Sequence, residues 1–116
     1  MSKFYTYSQN NSGGGFDEDS DVTQYVIIEA NSSSEANNKA LEIGIYFDGC
    51  DNNIDCGCCG DRWYEVDGDD GRDKPMIHSK SVFDYCDTFK WTNQLAIVHY
   101  LDGSKKVVPH KNNNHK

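Results

Sequence analysis

The strongest constraint on the fold of this 116-residue chain is a short stretch that fits the interior of a sheet. Residues 22–30, VTQYVIIEA, are rich in β-branched and aromatic side chains, which favour strands. Three consecutive apolar residues stand at the centre of this stretch. Such continuity, in place of strict alternation, is typical of a strand that is buried on both faces. We therefore predict an interior strand here.

Residues 31–47 carry a helix start signal and an apolar stripe. Ser32 and Glu35 have the spacing of a capping box, in which the hydroxyl accepts from the Glu35 N–H and the carboxylate reaches back. Gly44 weakens the last turn, so the helix should span residues 32–43. Four apolar residues recur along one face: Ala36, Ala40, Ile43 and Phe47. This stripe, with its small alanines, should lie close against the sheet.

Three further segments have weaker signals. Residues 3–9, KFYTYSQ, are predicted to form a strand, and residues 62–66, RWYEV, a short one. Residues 67–75, DGDDGRDKP, indicate an exposed acidic turn, because glycine and aspartate favour turns and interrupt helices and strands. Apolar side chains at helical spacing in residues 80–91 predict a short helix.

A β-hairpin is predicted near the C-terminus, with residues 95–101 antiparallel to residues 104–108. Asp102-Gly103 at its tip tolerates positive φ angles and is a strong hairpin signal. The order of elements indicates a small α+β domain over residues 1–110, with an antiparallel or mixed sheet and helices mainly on one face. Residues 111–116 are polar and are expected to form a disordered tail.

The cysteines of residues 48–61 favour a structural zinc site. Cys56 and Cys59 form a C-x-x-C pair followed by Gly60, which resembles the turn of a zinc knuckle, and zinc takes four ligands in a tetrahedron. The predicted ligands are Cys50, Cys56, Cys59 and, as the fourth, Cys58, with Cys86 or His78 as alternatives. Free thiols packed as small apolar groups, a redox pair and disulfides remain as other interpretations.

Three residues beside the cysteines form a candidate binding group: Arg62, Trp63 and Tyr64. Arg62 would offset the negative charge of four thiolates, or would simply pair with a surface carboxylate. Trp63 and Tyr64 are expected in the core, with a surface role in binding as the alternative.

Charge and hydropathy limit the classes of function that fit this chain. The formal net charge of −8 opposes direct DNA binding, which needs clustered lysine and arginine. The first residues have no apolar signal region, and no apolar run is long enough to cross a membrane. The expectation is a cytosolic protein whose acidity either keeps it soluble or lets it dock on a basic surface.

Beyond these patterns, the chain resembles a family of small, uncharacterised bacteriophage proteins. The resemblance rests on KFYTYSQNNSGG, YVIIEANSSSEANNKALEIGIYFDG and the cysteine loop CDNNIDCGCCGDRWYEV, and it covers residues 3–101. It implies a phage product that acts in the host bacterial cytoplasm, and it implies no mechanism.

Two functions are consistent with these features. The first is a non-enzymatic accessory protein that binds and modulates a host macromolecule, with a host protein as the expected partner. The second is a binder that sequesters a small nucleotide signal of host antiviral defence, which would require a deep pocket. An enzyme is the least favoured interpretation, because the sequence carries no recognisable catalytic constellation.

Overall fold

A computed structural model of the chain describes residues 2–10, 18–47, 62–77, 80–85, 92 and 94–109. Within these residues the structure has six strands, one α-helix and one 3₁₀ turn. The strands are β1 (Lys3–Ser8), β2 (Tyr25–Ala30), β3 (Met76–Ile77), β4 (Lys80–Ser81), β5 (Gln94–His99) and β6 (Lys105–Pro109). The helix α1 is Ser33–Glu42 and the 3₁₀ turn is Gly68–Asp70. This arrangement confirms the predicted α+β class.

Four strands form a mixed sheet in the order β1-β2-β5-β6. β1 runs antiparallel to β2, β2 runs parallel to β5, and β5 runs antiparallel to β6. The parallel pair lies in the middle, and the connection between its strands includes α1. A separate two-stranded sheet joins β3 and β4.

Apolar side chains cover both faces of β2, which explains its uninterrupted apolar centre. Val26 and Ile28 belong to a core that also holds Ala36 and Ala40 of α1. Ile27, pointing the other way, packs in a second core with residues that include Ile77 and Val82. The strand therefore has a neighbouring strand on each side and an apolar core on each face, as its sequence predicts.

The start of α1 follows the predicted cap with one difference. The Glu35 N–H donates to Ser32 Oγ over 3.1 Å, as expected for an N-cap serine. The Glu35 carboxylate accepts from the N–H of Asn31, one residue before the cap, over 2.8 Å. At the other end, Gly44 follows the helix with a φ of 106°, which agrees with a helix that stops near this glycine.

The predicted C-terminal hairpin is confirmed, and its tip is a three-residue loop. Tyr100 N–H donates to Ser104 O over 2.8 Å, and Gly103 N–H donates to Tyr100 O over 3.0 Å. Gly103 has a φ of 94°. The Asp102 carboxylate accepts from the backbone N–H and the hydroxyl of Ser104, over 2.9 and 2.6 Å. These bonds hold the pKa of Asp102 below its usual range.

Two predicted elements are wrong. Residues 62–66 form no strand, because a side chain of α1 takes up the hydrogen bonds of Val66. Residues 80–85 hold β4 and a turn in place of a helix. There Lys80 pairs with Ile77, and Tyr85 N–H donates to Ser81 O over 3.0 Å. The acidic turn is confirmed over residues 67–75, whereas residues 86–91 and the tail 111–116 lie outside the described residues.

Candidate functional site, an edge groove beside β1

The outer edge of β1 is paired at Phe4, and the chain is paired again at Asn10, two residues beyond the end of the strand. Phe4 N–H donates to Arg72 O over 2.8 Å, and Arg72 N–H donates back to Phe4 O over 2.9 Å. Further along, Asn10 N–H donates to Arg62 O over 2.9 Å. Residues 62–72 are therefore bonded to β1 at Arg72 and to the chain just beyond β1 at Arg62.

Thr6 and Ser8 lie between these two contacts. Along a strand, the backbone N–H and C=O groups of successive residues point to opposite sides. The backbone groups of Thr6 and Ser8 therefore point the same way as those of Phe4, away from β2. In the part of the chain that the structure describes, no backbone group pairs with either residue on this side. The Thr6 hydroxyl donates to Met76 O over 2.6 Å, which fixes β3 beneath the strand. Thr6 and Ser8 thus present four backbone polar groups that no described residue pairs with on this side.

A groove of about 310 Å³ opens at this point. It is lined by residues 6–8 of β1, residues 64–66, Asp70, Arg72 and Met76. We call it the edge groove. Its volume is at the lower end of the range for ligand pockets, so it suits a short segment better than a large molecule.

Asn37 of α1 fixes one wall of the groove. Its amide nitrogen donates to Val66 O and its Oδ1 accepts from Val66 N–H, each over 3.1 Å. The Tyr7 hydroxyl donates to the same Oδ1 over 2.7 Å. Burial raises the pKa of Tyr7 well above its usual range, and the carboxylates of Glu65 and Asp70 raise it further. Tyr7 is therefore a neutral hydrogen-bond donor.

The wall continues into an exposed stretch rich in carboxylates, residues 65–73, which we call the acidic segment. Its five acids are Glu65, Asp67, Asp69, Asp70 and Asp73. The Asp70 carboxylate accepts from Asp67 N–H over 2.7 Å, and Arg72 donates to the backbone oxygens of Asp69 and Gly71. These bonds hold the segment in a defined shape.

One acid of the segment forms an exposed ion pair. Lys3 Nζ lies 2.6 Å from Asp73 Oδ1. The hydrogen bond from Lys3 lowers the pKa of Asp73. The pair links the end of the acidic segment to β1, and as an exposed pair it adds little to stability.

The three predicted binding residues are consecutive in sequence, but their side chains lie in different surroundings. Arg62 donates from Nε to the Tyr46 hydroxyl over 3.1 Å and from a terminal nitrogen to Gln9 Oε1 over 3.0 Å. Trp63 is 1% exposed and belongs to the core, as predicted, so its ring offers no surface. Tyr64 is 59% exposed and lines the edge groove, which corrects the expectation that it is a core residue.

The predicted zinc ligands lie outside the described residues. This holds for Cys50, Cys56, Cys58 and Cys59, and for the alternatives Cys86 and His78. Among the residues that are described, no group of three or more His, Cys, Asp or Glu side chains is arranged to hold a metal ion. The zinc site therefore stays a prediction.

His99 lies in the sheet at the end of β5 and is buried. Its Nε2 is 2.8 Å from Asp21 O, which only accepts, so the ring carries its proton on Nε2. Burial lowers the pKa of His99. Lys105 donates to the Asp21 carboxylate over 2.8 Å, and this bond lowers the pKa of Asp21. Lys39 adds a further positive charge near both groups.

Comparison with known proteins gives one match. A family model described as "Domain of unknown function (DUF7296)" covers residues 2–115. The chain belongs to this family. The DUF7296 match spans both ends of the mixed sheet, together with the edge groove and the acidic segment. Neither the curated proteins nor the solved structures contain a match to the chain. No helix in the described parts of this DUF7296 chain has the length and apolar character needed to cross a membrane.

Proposed function

We propose that this protein is a non-enzymatic accessory protein that binds a basic surface of a host protein and modulates it. Its setting would be a bacteriophage infection, in the cytoplasm of the host bacterium, as the sequence resemblance implies. The observation that carries the proposal is the acidic segment, which places five carboxylates on an exposed stretch with a fixed backbone.

The shape of the acidic segment matters as much as its charge. Its backbone is bonded to Phe4 of β1 through Arg72. Just before the segment, Arg62 is bonded to Asn10, two residues beyond β1. Asn37 holds Val66 from the side of the helix. A partner would therefore lose little free energy in ordering this surface when it binds. The carboxylates would also steer a basic partner toward it and raise the association rate.

The alternative function, sequestration of a nucleotide signal, receives less support from the pockets of the described residues. Glu65 and Asp70 line the edge groove. Two other pockets, of about 240 and 670 Å³, both include Glu29, and the larger also includes Asp102. Carboxylates in these positions repel the phosphates of a nucleotide, so a basic partner is the better fit.

A host-lysate experiment tests the proposal. Full-length protein serves as bait, and bound host proteins are quantified by mass spectrometry at low and high salt. The test variant combines Glu65→Gln and Asp69→Asn, and the matched control combines Glu42→Gln and Asp84→Asn, which are exposed acids elsewhere. We expect a basic host protein to be recovered by the wild type and the control, and to be lost with the test variant and at high salt.

Two outcomes would contradict the proposal. One is the absence of any host protein above background on wild-type bait. The other is equal recovery on the test variant, since binding would then not depend on the acidic segment.

A further inference from the structure

We infer that the edge groove binds a short extended peptide segment with a basic side chain, which pairs with β1 at Thr6 and Ser8. The inference rests on the proposed function and specifies the chemistry of the partner. It combines an unpaired stretch of sheet edge with acidic and aromatic side chains beside it.

The backbone of the strand sets the first requirement. Thr6 and Ser8 each present one N–H and one C=O to the groove. An extended peptide can bond to both kinds of group, because its own backbone carries both donors and acceptors. Phe4 and Asn10 bound the open stretch and are six positions apart, a distance of about 20 Å in an extended chain. Since both ends are occupied by backbone bonds, the pairing segment is about three residues long.

The side chains around the groove set the second requirement. Two carboxylates, Glu65 and Asp70, and one guanidinium, Arg72, line it, so negative charge is in excess. Arg72 donates to the backbone oxygens of its own segment. Tyr64 lines the same groove and is 59% exposed, so a lysine or arginine can lie over its ring while it contacts a carboxylate. A basic residue is therefore preferred where the segment passes Tyr64.

A second copy of this chain fits the groove poorly. Edge-to-edge pairing of two β1 strands would bring the acidic segments of both copies together, and like charges at close range oppose association. The backbone bonds of Arg72 to Phe4 and of Arg62 to Asn10 also block a full-length strand. The occupant is thus a basic segment from another protein.

The test selects peptides on the full-length protein. The probes are two displayed hexapeptide libraries. In the basic library, random positions alternate with lysine or arginine. In the acidic library, random positions alternate with aspartate or glutamate. The key variant is Ser8→Pro, which removes an N–H that faces the groove and leaves the bonds to β2 in place. The matched control is Val107→Pro on β6.

Val107 is a suitable control because its N–H also faces away from the sheet. Ser104 O accepts from Tyr100 N–H, so the backbone groups of Ser104 and of every second residue after it point toward β5. The backbone groups of Lys105, Val107 and Pro109 therefore point away from the sheet. Proline already occupies one of these positions. Both variants therefore place a new proline on an exposed edge.

We expect peptides from the basic library on the wild type and on Val107→Pro, with affinity reduced about tenfold on Ser8→Pro, as the loss of one hydrogen bond predicts. In the complex, exchange of the Thr6 and Ser8 amide hydrogens should slow. If Ser8→Pro does not fold, Glu65→Lys replaces it, and basic peptides should be lost on that variant.

Three results would overturn the inference: recovery of no basic peptide, equal affinity on folded Ser8→Pro, or unchanged amide exchange with bound peptide. A host protein that is still captured by Ser8→Pro would refute the edge groove and leave the proposed function standing. Wild-type bait that captures nothing would refute the proposed function itself.

Discussion

Asn37 and Val66 form a two-bond pair in which a side-chain amide takes the place of a neighbouring strand. The amide nitrogen donates to Val66 O and Oδ1 accepts from Val66 N–H, both over 3.1 Å. The pair joins α1 to Val66, near the start of the acidic segment. It therefore connects the core of the domain to the surface that we propose as the docking site.

Replacing Asn37 with aspartate tests this connection. Asn37→Asp keeps an acceptor for Tyr7 and Val66 N–H but removes the donor to Val66 O. A buried carbonyl without a partner costs about 1–3 kcal/mol, and the free energy of unfolding should fall by about that amount. Urea unfolding followed by tryptophan fluorescence measures it. Asn38→Asp, on the exposed side of the same helix, is the control and should change stability little. Equal losses in both variants would contradict the assigned role.

Gly103 should be intolerant of a β-branched residue although it has open space around it. No atom lies within 4 Å of a Cβ built there, so the cost comes from its φ of 94° alone. Gly103→Val should destabilise the domain by about 1–2 kcal/mol and lower the melting temperature. Gly68→Val is the matched control, since Gly68 has similar open space and no positive φ. Unchanged melting of Gly103→Val would refute the loop geometry.

His99 should make stability depend on pH in the weakly acidic range. Burial lowers its pKa in the folded state, so the unfolded chain takes up a proton first as the pH falls below about 6.5. The stabilising contribution is thus fully present above about pH 6.5 and is lost as the pH falls toward the folded pKa. His99→Gln can still donate to Asp21 O and does not titrate, so its unfolding free energy should vary less between about pH 7 and pH 5.5.

The His99 measurement is a set of urea unfolding curves across that pH range. Asp21, whose pKa is lowered by the Lys105 bond, contributes only at lower pH. A pH dependence of His99→Gln equal to that of the wild type would show that other groups cause it.

The cysteine loop is predicted to bind about one zinc ion per chain, because structural zinc uses four ligands and C-x-x-C-G supplies two in one turn. Elemental analysis of protein purified without a His-tag or added metal measures the ratio. Cys56→Ser should lose the metal, whereas Cys86→Ser should keep it, since Cys86 is an alternative ligand only. Substoichiometric zinc together with five titratable thiols in the native protein would contradict the prediction.

The parts of the fold that the sequence predicts are those with local causes. The apolar centre of β2, the Ser32 cap and Gly103 each act within a few residues, and each lies where the pattern indicates. The mixed sheet follows from pairing these elements, although the parallel register of β2 and β5 has no local signature.

The candidate site could not be predicted in the same way, because its contacts are distant in sequence. Residues 62–66 read as a strand, yet their partner is the amide of Asn37, 29 residues from Val66. Nothing in the alternation of these residues indicates that Tyr64 is exposed while Trp63 is buried. The open stretch of β1 also arises from a distant contact, the bridge between Phe4 and Arg72. One signal lies in the sequence: the composition of residues 67–75 predicts an exposed acidic turn, which overlaps the acidic segment.

The most direct test of the central claim is site-specific photocrosslinking in host bacterial cells. A photoreactive phenylalanine analogue replaces Tyr64 beside the edge groove in one variant, and Leu41 on α1 in the other. The two side chains are similarly exposed, at 59% and 53%, so accessibility alone does not distinguish them. If the acidic segment and the edge groove form the docking surface, the Tyr64 variant gives a crosslinked adduct with a host protein and the Leu41 variant gives none. An adduct from Leu41 alone, or equal adducts from both positions, would contradict this account.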